Sequence, residues 1–385
     1  MIKDKFLFVV TVPNSLIFYK GQIRFLFKKF DVEVTSSSGK NLEKVCKTEK
    51  VKGHVIEMKR EISIFNDIIS LIDLIAIIKR IKPKVVHGST PKAGLLSMTA
   101  AWFNRVSTRI YYIHGLRYEG EKDLKRKLLV KMEQLSCFFA TDIFVVSNGV
   151  KLQLIKDRIT KKKINIIRNG SVNGIDANYF NARNPEVKDV RNDYKIFKND
   201  FVFGFVGRLV KDKGINELVL AFKKINSIHK NTKLVLVGKF EDELDPLNIE
   251  IKNEILNNKN IIFSGFQNDI RPFLKIMKVF VFPSYREGFG VSLMEAAAMG
   301  VPSIASNITG CNEIIKHNYN GLLIEPKSMI EIERAMSRLL ASPSLLDKMG
   351  KISRQFVIDK YEQSVLWKDT LEAYSDIVNK NNKLN

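Results

Sequence analysis

Short apolar runs recur along this chain, each followed by a loop and then a stretch whose apolar residues have helical spacing, and this alternation restricts the fold more than any other feature. In the first half the runs fall at 6–12, 32–36, 84–87, 110–113 and 143–146, separated by helical stretches at 21–29, 65–81, 93–104 and 124–139. In the second half they fall at 201–206, 233–238, 261–264, 279–283, 302–305 and 321–324. A strand, loop, helix repeat of this kind belongs to doubly wound parallel sheets. A chain of 385 residues is also too long for one ordinary core. The expectation is therefore α/β, with a first domain over 1–180, a second over 181–360 and a terminal helix over 361–385 carrying Val365, Leu366, Leu371, Tyr374, Ile377 and Val378 at helical spacing. The link lies in 165–184, INIIRNGSVNGIDANYFNAR, dense in the Gly and Asn that tolerate positive φ.

Hydrophobic residues make up 45% of the chain and charged ones 27%, which excludes a disordered polyelectrolyte. Cys46, Cys137 and Cys311 stand far apart, without the pairing of a zinc site or disulfide framework, and read as free thiols in a reducing compartment. The opening apolar stretch is too short for a signal peptide and reads as a first buried strand. The most membrane-like window, 62–81, is interrupted by Asp67 and Asp73, so a soluble or peripheral, cytoplasmic protein is expected. Charge is uneven: 33 Lys and Arg stand against 16 Asp and Glu in residues 1–180, a net +17, and 30 against 25 beyond them, a net +5. A one-sided positive surface suits an anionic membrane, a polyphosphate ligand or nucleic acid; a generally lysine-rich surface is the plainer reading.

Open α/β sheets bind ligands beyond the carboxyl ends of their strands, which directs attention to the loops that follow them. The loop 207–214, GRLVKDKG, offers Arg208 as a planar fork and Lys213 as a point charge, a pairing suited to a diphosphate or simply a basic turn. The loop after the run at 279–283 reads SYREGFGVSLMEA. Glu287 and Glu295 bracket a turn of Gly288, Phe289, Gly290 and Val291 that opens a helix whose first amides could face a phosphate. Glu295 could accept from ribose hydroxyls and Glu287 could reach a sugar; as single residues they read equally as surface charges.

Taken together, Glu287 and Glu295 about the Gly-Phe-Gly turn, with the Gly-Arg…Lys-Gly loop about 80 residues upstream, resemble the family 4 retaining glycosyltransferases of the GT-B fold. PKAGLL at 91–96, RNGSVNGID at 168–176, EAAAMGVPSIASNITGC at 295–311 and NGLLIEP at 320–326 extend the resemblance over nearly the whole chain. It implies two Rossmann-like domains facing a cleft, with the C-terminal helix packed back on the first. It also implies donor-diphosphate binding by Arg208 and Lys213, ribose binding by Glu295, and sugar contact by Glu287 and the backbone of 288–291. His114, at a strand end in YYIHGLR, matches a histidine beside the anomeric centre, and Arg117 is a candidate to steer a phosphate. The family's glycine-rich loop after the first strand is replaced here by PNSLIFYKG, with one late glycine at Gly21.

The resemblance further implies a nucleotide-sugar donor, most simply UDP-linked, a lipid-linked saccharide acceptor in cell-surface polysaccharide assembly, and retention of anomeric configuration. No Asp-x-Asp metal motif occurs, so no metal and no further cofactor are expected. In 124–135, apolar positions 124, 128, 132 and 135 alternate with Lys125, Arg126, Lys127 and Lys131, which fits an acceptor-side helix on an anionic membrane or an ordinary helix packed on the sheet. A nucleotide-sugar 2-epimerase would need no acceptor, and a silent nucleotide-sugar binder would show no turnover. A nucleic-acid-binding role leaves the second-domain loops unexplained, and the chain carries no helix-turn-helix, zinc finger or aromatic-lined strand motif.

Overall fold

The computed structural model describes residues 3–59, 61–243 and 245–383, so both outer ends of the expected segments at 1 and 385 lie outside it. It divides into two compact units, residues 1–174 with 363–385, and residues 175–362. The division follows Gly174, ahead of the boundary at 180, because Ile175 already bonds to the Tyr361 carbonyl at 2.8 Å and bridges Glu362.

Among the described residues the first unit holds seven strands: β1 (Asp4–Val9), β2 (Phe30–Ser36), β3 (Lys52–Val55), β4 (Val85–Ser89), β5 (Thr108–Ile113), β6 (Asp142–Val145) and β7 (Ile164–Asn165). Their order is β3-β2-β1-β4-β5-β6-β7, all parallel, with Phe6 opposite Val32 and Val85. The central runs are continuously apolar because helices cover both faces of a parallel sheet. The edge strands β3 and β7 lack that signature: β3 reads KGHV and β7 is two residues long, so neither registers as an apolar run. The helix Gln363–Lys383 belongs to this unit; Tyr374 is fully buried and its hydroxyl lies 3.1 Å from His87 Nε2, in a cluster with Phe6 and Phe144. Each such aromatic contributes roughly 2 kcal/mol through burial.

The second unit holds, among the described residues, β8 (Phe201–Val206), β9 (Thr232–Val237), β10 (Ile261–Gly265), β11 (Val279–Phe282), β12 (Ser303–Ser306) and β13 (Gly321–Ile324), ordered β10-β9-β8-β11-β12-β13. β8 and β11 are neighbours, with Val279 opposite Phe203, so the loops leaving their carboxyl ends emerge side by side. Phe203, Phe205, Phe222 and Phe280 fill the core beneath them. Cys137 and Cys311 are buried thiols, and Cys46 is half-buried. Among the described residues no helix is long and apolar enough to cross a membrane.

Candidate active site

In the second unit, the chain leaves β8 through Gly207 and Arg208, makes a 3-10 turn at Lys211–Lys213, and enters the helix Ile215–Ile228 through Gly214 at φ +69°. A Cβ at Gly214 would lie 2.1 Å from the Pro283 carbonyl oxygen, so only glycine lets this loop close on the one that follows β11. Asp212 laces the two loops: its carbonyl accepts from the Tyr285 amide at 2.9 Å and its carboxylate accepts from Arg286 Nε at 2.8 Å. The sequence offered Asp212 as one acid between two lysines, with nothing to distinguish it. The closure sets Lys213 Nζ directly on Glu287 Oε1, a pair whose side chains are only 15% and 13% exposed. Lys213 also lies 5.5 Å over the Phe282 ring.

Arg208 stands exposed, with Nη1 2.7 Å from Glu241 Oε2. Glu241, in the acidic stretch after β9, thus serves as a counter-charge to the guanidinium. Bidentate exchange of that partner for a phosphate is open to an exposed arginine.

Beyond Glu287, the Gly288–Gly290 turn feeds the helix Val291–Ala298, built of strong helix formers and ended at Gly300. Phe289 is buried against Tyr361 at 5.3 Å, which anchors the turn. Gly310, at φ +77°, allows its backbone to lie against Gly288; an added Cβ there would come within 2.7 Å of the Gly288 carbonyl. The first amides of the helix have no partner within it and present partial positive charge. Glu295 sits on its second turn, half-buried, and its carboxylate has no hydrogen-bond partner among the described residues. Burial pushes that carboxyl up to about 8. Arg208, Lys213, Glu287, residues 288–291 and Glu295 therefore all belong to three neighbouring segments at the carboxyl ends of β8 and β11. Nearby, Phe266 follows β10 with its ring exposed and Lys239 Nζ 5.0 Å above it.

In the first unit, His114 follows β5 directly. Its Nε2 lies 2.7 Å from the Tyr19 hydroxyl, and the rings of Phe18 and Tyr112 meet its edge at 6.0 and 5.5 Å. Burial lowers His114 to about 4, so the imidazole is neutral at physiological pH, and burial raises the Tyr19 phenol well above its usual value. Tyr19 closes the 3-10 turn Pro13–Tyr19 that stands where the resemblance expects a glycine-rich loop. Sequence reading missed this residue within PNSLIFYKG, because the contact spans 95 positions.

Arg117 is exposed on the 3-10 turn Arg117–Gly120. The helix Asp123–Phe139 packs inward through Leu129, Glu133, Ser136 and Cys137. Leu124, Leu128 and Leu135 are therefore exposed, contrary to the arrangement in which that apolar set faces the sheet. Lys125 pairs with Glu121 at 2.7 Å and Arg126 lies 3.4 Å from Asp157, while Lys127 and Lys131 are exposed.

Two family models match this chain: glycosyl transferase 4-like over residues 5–147 and glycosyl transferases group 1 over 186–356. Among curated proteins it is 36% identical over 382 residues to the Staphylococcus aureus capsular polysaccharide biosynthesis glycosyltransferase CapM, covering 97% of this chain and 98% of that one. It is 30% identical over 309 residues, 78% of each chain, to the Escherichia coli UDP-Gal:α-D-GlcNAc-diphosphoundecaprenol α-1,3-galactosyltransferase. Among solved structures, Anabaena HepE in complex with UDP-glucose superposes with a TM-score of 0.82 at 17% identity, over 97% of this chain and all of that one. The paired parallel sheets, the loops after β8 and β11 and these likenesses agree: the chain belongs to the group 1, family 4-like glycosyltransferases of the GT-B fold.

Proposed function

We propose that this glycosyltransferase moves a hexose-type sugar from a UDP-linked donor to a polyprenyl-diphosphate-linked saccharide during cell-surface polysaccharide assembly, with retention of configuration. The observation that supports the donor half is the closure of the two second-unit loops, which sets Lys213 on Glu287, with Arg208 on the first of these loops and the 288–291 backbone and Glu295 following the second. The complex of HepE with UDP-glucose supports the choice of nucleotide. The name of the E. coli relative, which pairs UDP-Gal with a diphosphoundecaprenol acceptor and an α-1,3 product, supports the acceptor class. The enzyme works peripherally at the cytoplasmic membrane face, where such acceptors are met, with Arg117, Lys125, Arg126, Lys127 and Lys131 on the acceptor side.

Cleavage of the anomeric C–O bond leaves positive charge on the sugar and sends the bonding electrons to the diphosphate. Arg208, Lys213 and the amides opening the helix Val291–Ala298 stabilise that growing negative charge, so preorganised electrostatics supplies the main catalytic effect without a resident metal. Lys213 shares its ammonium between Glu287 and the phosphate. Glu287 in turn accepts from sugar hydroxyls, Glu295 from ribose hydroxyls, and His114 carries the sugar contact assigned by the resemblance. The acceptor hydroxyl attacks from the face the diphosphate leaves, and its proton passes to a phosphate oxygen.

Calorimetric titration with UDP, GDP and ADP in the presence of a chelator tests this reading. UDP should bind without metal, and Arg208→Ala should weaken it about tenfold or more, the loss of a charge-assisted bidentate contact. Binding of none of the three, or binding only on addition of a divalent cation, rejects the assignment.

A further inference from the structure

The helices over one face of the first unit's sheet turn apolar side chains outward. The helix Ile64–Ile81 buries Ser70, Leu74, Ile78 and Ile81. On its opposite side Phe65 is 76% exposed, Ile68 52% and Ile72 59%. Residues three, four and seven apart share one helix face, so this is a stripe rather than scatter. The helix Asp123–Phe139 repeats the arrangement, exposing Leu124, Leu128, Leu135 and Phe138 opposite its buried side. Between them packs the helix Pro91–Phe103, almost wholly buried, with Trp102 and Phe103 exposed at its end. Outward faces of helices in water carry polar residues, and a connected apolar exterior marks an interaction surface.

The charges on the same layer are mostly basic. Lys79 and Arg80 are exposed at the end of the first helix, and Lys125, Lys127 and Lys131 flank the second stripe, against the exposed acids Asp73 and Asp123. Apolar side chains rimmed by lysine fit the boundary between headgroups and acyl chains of an anionic bilayer. A two-fold pairing of copies through this face would instead set one mostly basic layer against another.

We propose that this layer is a membrane-docking surface in which Phe65, Ile68 and Ile72, with Leu124 and Leu128, enter an anionic lipid interface. The proposal rests on the lipid-linked acceptor reading and deepens it, by assigning anchorage to an isoleucine-rich helix that carries no substrate contact.

Co-sedimentation with phosphatidylglycerol–phosphatidylcholine vesicles, against vesicles of phosphatidylcholine alone, tests it, with UDP titration as an independent readout of fold and donor site. The unaltered chain should sediment with the anionic vesicles. Phe65→Ser/Ile68→Ser/Ile72→Ser should lose at least about tenfold in vesicle affinity, and Lys127→Glu/Lys131→Glu about fivefold or more per lysine, both with UDP binding unchanged. Absence of vesicle binding by the unaltered chain, or full binding by the triple serine variant, overturns the proposal. So does a dimer in sedimentation equilibrium that the serine variant converts to monomer, which would assign the face to a second copy. Loss of UDP binding in the unaltered chain would count against the donor assignment alone.

Discussion

At the scale of single residues, the sharpest consequences concern Glu295 and Tyr19, both shifted by burial. Glu295 is held neutral up to about pH 8, against an ordinary value near 4.5. Between those values the folded chain binds the extra proton, so this group's contribution to stability is complete below about 4.5 and declines as pH rises through about 8. Ribose hydroxyls donate better to the carboxylate than to the acid, so UDP binding near neutral pH should release a proton, and affinity should rise from pH 7 to 9. Calorimetry in buffers of differing ionisation heat reads the release; Glu295→Gln should abolish both effects. Tyr19 is a positioning residue, since its hydroxyl meets His114. Tyr19→Phe should lower kcat about ten- to a hundredfold while the donor KM holds, because the phosphate contacts proposed for Arg208 and Lys213 lie in the second unit. A parallel loss in KM, or none in kcat, would show the hydrogen bond to be structural only. Neither feature was legible in the sequence: the burial of Glu295 and the reach of Tyr19 arise from packing between distant segments.

Among the elements, the loops after β8 and β11 were the most legible, because glycine, charge and apolar strand fall there in a fixed local order. What the sequence did not reveal is how they meet. Asp212 and Gly214 join them through contacts some 70 positions apart, a matter of strand order rather than local pattern. Gly214→Ala should destabilise the second unit by about 2 kcal/mol or more, through both positive φ and collision with Pro283. It should also weaken UDP binding, read by denaturant melts beside titration; an alanine variant with unchanged stability would refute the packing account. Helix bounds agreed within a residue or two where apolar spacing was strong, as in Ile64–Ile81, expected over 65–81. Agreement failed where burial was slight: the helix Lys40–Glu49 and the edge strands β3 and β7 carry too few apolar residues to register. The tail helix expected from 361 begins at Gln363, because a separate helix, Pro343–Tyr361, ends just before Glu362, where the chain passes from one unit to the other.

For the molecule as a whole, two parallel-sheet units were readable because each repeats the strand and helix alternation independently. The return of residues 363–383 to the first unit agrees with what the resemblance implied, while the residues themselves mark it only as an amphipathic tail. Its weight is structural: Tyr374 and Leu366 are buried in that unit, and Trp367 Nε1 donates to Asn173 at 2.7 Å. A chain stopped at Glu362 should therefore keep a protease-resistant fragment over 175–362 while the first 174 residues are cut rapidly. Equal resistance of both units would mean that the tail contributes little.

That return also fixes an order of events on the ribosome. The second unit is a single uninterrupted stretch and can close as soon as it emerges, whereas the first to be synthesised must wait, with its aromatic cluster around His87 incomplete, until the tail arrives. The N-terminal half of this enzyme is the first made and the last finished.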